Sequence, residues 1–153
     1  MKTLQKDPYK FVIIIIGFVS ALMILLSVLV LKDSETSFTG LEVAFGHEFA
    51  SLGTWASGEI AFNPFVLLAF ALPLIAAINL LLTKNGYLVS MILFVASAIL
   101  IFMIPELTTV TVTILGNVNE IDVDWTYGTG LILAGILSIT GSLFTAFKLY
   151  QQS

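Results

Sequence analysis

The side chains with the greatest capacity for chemistry in this 153-residue chain are a spaced run of acids and one histidine. Glu120, Asp122 and Asp124 alternate with apolar residues, so on a strand they would share one face and form an acidic ridge. Such a ridge attracts cations weakly, but a calcium loop needs a glycine after its third ligand, where this chain has Trp125. A solvated strand face is therefore the favoured interpretation.

The histidine, His47, precedes Glu48 and has Glu42 and Glu59 nearby in the sequence. Zinc needs several imidazole, thiolate or carboxylate ligands that converge on one point, and the chain has one His and no Cys. The same scarcity excludes a convincing Ser-His-Asp arrangement, and no glycine-rich phosphate motif is present. We therefore expect no catalytic residue, no metal site and no cofactor.

The composition excludes most soluble functions. Hydrophobic residues make up 58% of the chain and charged residues only 10%, with a mean hydropathy of +1.05. A soluble domain carries about 25% charged residues. All six basic residues are lysines and the formal net charge is −4, so there is no basic surface for a nucleic acid. The chain is expected to be an integral membrane protein whose first partner is the lipid bilayer.

Charges are absent from four long stretches, and these predict the transmembrane helices. A spanning helix needs about 20 consecutive apolar residues. The predicted helices cover about residues 11–31, 63–83, 87–104 and 129–149, with outer segments at 32–62 and 105–128. The first run is too long for a signal peptide and has no small-residue cleavage site. The sequence thus predicts one integral membrane domain over residues 1–153.

Lysine placement predicts the orientation, because cytoplasmic loops carry an excess of Lys and Arg. Four spans put five of the six lysines on the side of both termini and nine of the ten acids on the other side. The lysines on the terminal side are Lys2, Lys6, Lys10, Lys84 and Lys148. We expect a multi-pass protein of the cell membrane with both termini in the cytoplasm. Lys in place of every Arg, together with abundant Ile, suits an AT-rich bacterial genome.

Turn and cap residues refine the helix boundaries. Asn63-Pro64 predicts the start of helix two, Asn85-Gly86 predicts a tight turn into helix three, and Pro105 predicts the end of helix three. Pro73 should kink helix two unless a neighbour bonds the carbonyl that it frees. Asn79 is expected to bond a neighbouring helix rather than to line a pore.

Helix four has a face of small residues at every fourth position. Small residues let helix backbones approach closely in lipid, where the hydrophobic effect contributes little. We expect this face to pack against helix one or three of the same chain, with Gly17 and Ala21 as candidate contacts on helix one; the alternative is a face that binds a second subunit. The face consists of Gly130, Ala134, Ser138, Ser142 and Ala146.

The outer segments contain strand patterns. Thr109–Thr113 and Glu120–Trp125 alternate with period two, with a turn at Gly116-Asn117, and Ser37–Phe45 is a third candidate strand. The predicted fold is a membrane all-α four-helix bundle with a small extracellular β-sheet cap of about five strands or fewer.

This arrangement resembles the claudin/PMP22 architecture, with Gly53-Thr-Trp55 in place of the claudin Gly-Leu-Trp and without the two claudin cysteines. In style the chain is similar to small uncharacterised four-helix membrane proteins of low-GC Gram-positive bacteria. Three segments carry that likeness: Phe45-Gly-His-Glu, Leu72-Pro-Leu-Ile75 and 128–135. The resemblance implies a topology and no activity.

Three functions are in competition. The leading hypothesis is a non-enzymatic structural or accessory protein that associates with a second copy or with another membrane protein, through helix four or the outer cap. The alternative is a subunit of an oligomeric channel or transporter with an acidic outer mouth. An enzyme that acts at the outer membrane face through His47 or Glu48 is the weakest of the three.

Overall fold

A computed structural model describes residues 7–32 and 34–152, and this part of the chain forms four long helices and seven short strands. The long helices are α1 (Pro8–Leu22), α3 (Pro64–Leu82), α4 (Tyr87–Leu107) and α5 (Thr129–Gln152), and α2 is a short helix at Gly40–Phe45. The strands are β1 (Ser27–Leu31), β2 (Ser37–Thr39), β3 (His47–Ser51), β4 (Ala56–Ile60), β5 (Val110–Ile114), β6 (Asn117–Ile121) and β7 (Trp125–Tyr127).

The four long helices are each long and apolar enough to cross a membrane, as the charge-free runs predict. They pack in a ring in which α1 contacts α3, α3 contacts α4, α4 contacts α5, and α5 returns to α1. The strands follow or precede the same ends of these helices, which we call the cap end. The start of α1, the α3–α4 turn and the end of α5 lie at the opposite end, which we call the terminal end.

The boundaries of α3 and α5 agree closely with the predicted runs 63–83 and 129–149. Asn63 begins α3 as predicted, because its side-chain oxygen accepts a hydrogen bond from the Phe65 N–H at 3.1 Å and Pro64 occupies the first helical position. The same Asn63 side chain donates to the Leu107 carbonyl at 3.0 Å. One amide thus joins the start of α3 to the end of α4.

The predicted helix over 11–31 is wrong at its cap end. The α-helix ends at Leu22, a 3₁₀ turn covers Met23–Leu25, and Ser27–Leu31 is strand β1. Val and Leu in this run are compatible with either structure. The segment forms a strand because β1 pairs antiparallel with β2 on one side and with β7 on the other. The hydropathy of residues 11–31 alone does not indicate these pairings.

Pro105 does not end α4, which continues to Leu107. The proline removes the helical donor for the Ile101 carbonyl, four residues earlier, but the helix continues past it, and carbonyls of its last turn have donors from outside the helical ladder. Here the Thr108 hydroxyl donates to the Ile104 carbonyl at 2.7 Å, and Asn63 donates to the Leu107 carbonyl. The predicted boundary at Ile104 is therefore three residues short.

The strands form two antiparallel sheets rather than one cap of about five strands. A three-stranded sheet has the order β2-β1-β7, and a four-stranded sheet has the order β3-β4-β5-β6. The predicted strand Ser37–Phe45 is wrong after Thr39, where α2 begins. A capping box explains the helix: the Thr39 hydroxyl accepts from the Glu42 N–H at 3.3 Å, and the Glu42 carboxylate accepts from the Thr39 N–H at 2.7 Å.

The predicted hairpin exists, but its second strand lies elsewhere. Strand β5 is within one residue of the predicted 109–113, and the turn is Leu115-Gly116, with φ of 50° and 82°. Positive φ at both positions is typical of a type I′ turn, in which glycine is favoured. The predicted strand over 120–125 is wrong, because β6 ends at Ile121 and β7, from Trp125, joins the other sheet.

The centre of the bundle depends on Pro73. A proline frees the carbonyl four residues before it, here that of Ala69. The fully buried Ser97 hydroxyl of α4 donates to this carbonyl at 2.8 Å, so a neighbouring helix bonds the carbonyl that the proline frees. On the opposite side, Gly17 of α1 lies so close that an added Cβ would be 2.5 Å from the Pro73 carbonyl oxygen.

A double-mutant cycle tests the link between Pro73 and Ser97. We expect Ser97→Ala to lower the free energy of unfolding by about 1–2 kcal/mol, because a buried carbonyl loses its donor. In the Pro73→Ala background residue 73 regains an N–H for the Ala69 carbonyl, so Ser97→Ala should cost less. The measurement is unfolding of the detergent-solubilised protein.

Ser90→Ala is the matched control for this cycle. The Ser90 hydroxyl is also buried and donates to an α3 carbonyl, that of Ala76, at 2.9 Å. Since no proline frees that carbonyl, Ser90→Ala should be additive with Pro73→Ala. Additivity of Ser97→Ala with Pro73→Ala would contradict the interpretation.

Candidate interaction surface

The small-residue face of α5 is divided between two environments. Gly130, Ala134 and Ser138 are buried inside the chain, whereas Ser142 and Ala146 are half-buried. Gly130 lies against the 3₁₀ turn and the start of β1, where an added Cβ would be 2.8 Å from the Met23 carbonyl oxygen. The cap-end part of the face is thus used for packing within the chain.

Ser138 belongs to a chain of buried hydroxyls that joins three helices. Its Oγ lies 3.2 Å from the Ser20 Oγ of α1 and 3.1 Å from the Ser97 Oγ of α4. Because Ser97 donates its hydrogen to Ala69, Ser138 donates to Ser97, and Ser20 is left to donate to Ser138 or to the Ala134 carbonyl. These hydroxyls contact one another and carbonyls, so they act in packing rather than as activated nucleophiles.

Gly17, one of the two candidate contacts on helix one, does not face α5 as predicted. Gly17 faces α3, since an added Cβ would be 2.8 Å from the Ala77 Cβ. It is Ser20 that contacts α5 through Ser138 and Ala134. The prediction that Asn79 bonds a neighbouring helix is confirmed. Its amide donates to the Ser90 hydroxyl of α4 at 2.9 Å and to the Gly86 carbonyl at 2.8 Å.

Charged and polar side chains lock the terminal end. The Asp7 carboxylate caps α1 and contacts the Lys148 Nζ of α5 at 3.0 Å, and it accepts a hydrogen bond from the Tyr87 hydroxyl of α4 at 3.0 Å. The Lys10 ammonium donates to the Thr83 carbonyl at the end of α3 at 2.8 Å. All four long helices are therefore joined at this end.

Burial alone would raise the pKa of the Asp7 carboxyl, but hydrogen bonds from Lys148 and Tyr87 outweigh it and hold the pKa below its usual value. The backbone N–H of Lys10 acts in the same direction. Asp7 is therefore the ionised partner that the lysine and tyrosine of this cluster require.

The predicted acidic ridge does not lie on one strand. Glu120 is on β6, whereas Asp122 and Asp124 are on the connection between β6 and β7. All three, with Glu106 from α4, line a cleft of about 540 Å³ at the cap end. Asp124 forms an exposed ion pair with Lys32 at 3.4 Å. Among residues 7–32 and 34–152, no group of three or more acids or histidines is arranged to hold a metal ion.

Strand pairing creates a second set of acids that the sequence analysis did not detect. Glu48 on β3 lies opposite Glu59 on β4, Glu59 lies opposite Thr111 on β5, and Thr111 lies opposite Glu120 on β6. Directly opposed residues share a sheet face, so three glutamates form one row across the four-stranded sheet. The only link in the row is the Thr111 hydroxyl, which donates to the Glu59 carboxylate at 3.3 Å. The row of glutamates is visible only from the register of the strands.

His47 packs beside Phe38 and lies near Glu42. Its ring centroid lies 5.9 Å from that of Phe38, and its Nδ1 is 3.9 Å from the Glu42 carboxylate. Glu42 is already engaged by the α2 capping box, and the hydrogen bond from the Thr39 N–H is the main reason that its pKa lies below the usual value, with burial opposing it. Glu48, the other candidate, is exposed in the row of glutamates.

Exposed apolar side chains cluster around the two turns of the four-stranded sheet, a region that we call the tip. The turns between β3 and β4 and between β5 and β6 lie at the ends of their strands away from the helices. The Leu115 N–H donates to the Trp55 carbonyl at 2.9 Å and joins the two turns. Exposed side chains here are Leu52 (75% exposed), Trp55 (67%), Ile114 (50%), Leu115 (66%) and Val118 (66%).

Comparison of the chain with protein-family models, curated proteins and solved structures gives no match.

The Asp7 cluster predicts how stability depends on pH. A carboxyl whose pKa is lowered in the folded state stabilises the protein above its unfolded pKa, near 3.8, and loses that contribution as the pH falls through the lower folded value. Asp7→Asn should remove about 1 kcal/mol at neutral pH and flatten the decline of stability below pH 4. The measurement is thermal unfolding in detergent from pH 7 to 2.5.

Asp124→Asn is the matched control, because its ion pair with Lys32 is exposed and should contribute little. An identical pH profile for the wild-type protein and Asp7→Asn would show that the terminal-end cluster does not contribute as described.

Proposed function

We propose that the chain is a non-enzymatic integral membrane protein that docks another protein through its outer β cap. The observation that carries the proposal is the tip, an apolar patch at the far end of a sheet that projects away from the membrane helices. Apolar side chains of this size are costly to leave in water, and several of them exposed around the same two turns are typical of a protein–protein contact. Tryptophan is enriched among the residues that dominate binding energy, so Trp55 suits a binding anchor.

In this proposal the cap lies outside the cell membrane and both termini lie in the cytoplasm. Lys10, Lys84 and Lys148 are at the terminal end, whereas Lys2 and Lys6 lie outside the described residues. Among the described residues, every acid except Asp7 belongs to the cap end or its connections, and Asp33 lies outside the described residues. This asymmetry follows the positive-inside rule.

The absence of cysteine allows a direct test of this orientation. Single cysteines at Ser51→Cys in the cap and Gln151→Cys at the end of α5 are both on exposed positions. A membrane-impermeant maleimide should label Ser51→Cys in intact cells and Gln151→Cys only after the membrane is permeabilised. The reverse pattern, or equal labelling, would refute the proposed topology.

The cap is a better docking site than α5. The buried residues Gly130, Ala134 and Ser138 are already used by the chain, so only Ser142 and Ala146 remain for a second subunit. Two half-buried positions are a short contact for helix association, which usually needs a small-residue face over several turns. Docking through helix four, to a second copy or to another membrane protein, is the weaker form of the proposal.

Photocrosslinking from the tip tests the docking role. A photoreactive phenylalanine analogue in place of Trp55 should give a discrete protein adduct in native membranes. The same analogue in place of Ile136, an exposed apolar residue of α5, should react with lipid. Leu115→Asn should reduce the Trp55 adduct severalfold, since it removes a tip side chain and asparagine tolerates the left-handed backbone at φ 50°. Equal adducts at both positions would refute docking at the tip.

A subunit of an oligomeric channel or transporter is the second candidate. It is supported by the acidic cleft of Glu106, Glu120, Asp122 and Asp124 at the cap end, which would concentrate cations. The centre of one bundle holds packed apolar side chains and serines bonded to one another or to backbone carbonyls. A pore would therefore have to form between copies of the chain, and we rank this candidate second.

The likeness to claudin/PMP22 proteins and to small four-helix membrane proteins of Gram-positive bacteria is part of the same proposal. It is supported by the four long helices and by a cap built from two outer segments, the first of which is longer. A docking role for the cap requires neither likeness.

A further inference from the structure

One edge of the four-stranded sheet is open and regular. Strand β6 pairs with β5 without a register shift, and within residues 7–32 and 34–152 no strand pairs with its other edge. The opposite edge, β3, has a register shift between Glu48 and Ala50, and Phe38 packs on its side chains, with ring centroids 5.9 Å from those of His47 and Phe49. A bulge blunts an edge, so β6 is the edge of this sheet that is better prepared to accept a further strand.

The turn identifies the backbone groups that are available. In a hairpin with a two-residue turn, the flanking pair Ile114–Asn117 is hydrogen-bonded, and bonded and non-bonded pairs then alternate. Asn119 and Ile121 therefore also bond β5. The N–H and C=O groups of Val118 and Glu120 point away from β5 toward the open edge.

These two residues also carry a chemical pattern on one sheet face. Glu120 ends the row of glutamates that includes Glu48 and Glu59. Val118 lies two residues nearer the β5–β6 turn, and its side chain is 66% exposed. An added antiparallel strand would place one residue opposite Glu120 and, two residues later, another opposite Val118, with Cβ atoms about 5 Å apart across each pair. A basic residue satisfies the first position and an apolar residue the second.

We propose that the open edge of β6 binds an extended segment of another protein that carries Lys or Arg two residues before an apolar residue. The inference rests on the proposed docking role and names the chemistry of its partner. Main-chain hydrogen bonds to Val118 and Glu120 supply binding, and the two side-chain positions supply selectivity. The partner runs antiparallel to β6, from the membrane toward the tip.

A second copy of the chain fits this edge less well. If two β6 strands pair antiparallel about Asn119, Glu120 of each copy lies opposite Val118 of the other. That arrangement leaves both carboxylates without a basic partner, since Asn117–Ile121 contains no Lys or Arg. The acidic row therefore favours a different, basic chain.

The test is a binding titration of the full chain in lipid nanodiscs with a labelled heptapeptide, Ser-Thr-Lys-Thr-Val-Thr-Ser, and its counterpart with Glu in place of Lys. The Lys peptide should bind more tightly, and Glu120→Lys should weaken it about fivefold while the Glu peptide gains. Val118→Pro should abolish binding of both peptides, because it removes an outward N–H and keeps the ladder to β5.

Asn119→Ala is the matched control, since Asn119 bonds β5 and should leave peptide binding unchanged. Peptide affinities that both Val118→Pro and Glu120→Lys leave unchanged would overturn the inference. A dimer in native mass spectra that Val118→Pro converts to monomer would also overturn it, because a second copy would then be the occupant.

The outcomes separate this inference from the proposed function. If the peptides fail to bind but the Trp55 adduct persists and depends on Leu115, the cap docks a partner through the tip and not through the β6 edge. If the adduct is lost but the charge-swapped peptides bind as expected, the edge site stands and docking through the tip fails.

Discussion

At the centre of the bundle the packing of the helices depends on two hydrogen bonds of one hydroxyl, that of Ser97. Pro73 leaves the Ala69 carbonyl without its helical donor, and in an apolar interior such a group must be bonded or it costs several kcal/mol. Ser97 supplies the donor and in turn accepts from Ser138. Because these residues belong to α3, α4 and α5, the position of each helix is constrained by the same chain of bonds, and Gly17 lets α1 close the ring against Pro73.

The cap inherits its position from that ring. Strand β1 follows α1 after one 3₁₀ turn, and β7 leads directly into α5, so the β1–β7 pair spans two neighbouring helices. Gly128 makes this possible, since an added Cβ would clash with the Ser27 carbonyl oxygen. Asn63 ties the start of α3 to the end of α4 beneath the other sheet. The cap is thus joined to the helices at several points, which suits a surface that presents a docking site.

Local chemistry allowed the parts of the fold that depend on nearby residues to be predicted. The charge-free runs, Asn63-Pro64 and the Val-Thr alternation of β5 correspond to α3, α5 and the hairpin. The end of helix one could not be predicted from its hydropathy, because Ser27–Leu31 is a strand through pairing with β2, the next strand along the chain, and with β7, which is distant in sequence. The error at α2 was avoidable, since Thr39 and Glu42 have the spacing of a capping box, but the apolar residues around them favoured a strand.

The acids of the cap illustrate why a candidate site can be misplaced even when its residues are found. Spacing along the chain groups Glu120 with Asp122 and Asp124, because it assumes that the strand continues. The strand ends at Ile121, and pairing instead aligns Glu120 with Glu59 and Glu48 from the first outer segment. Like charges on one sheet face are unfavourable unless solvent or a partner neutralises them. Since the row ends at an open edge, it is the added strand, and not the chain itself, that can supply the missing positive charge.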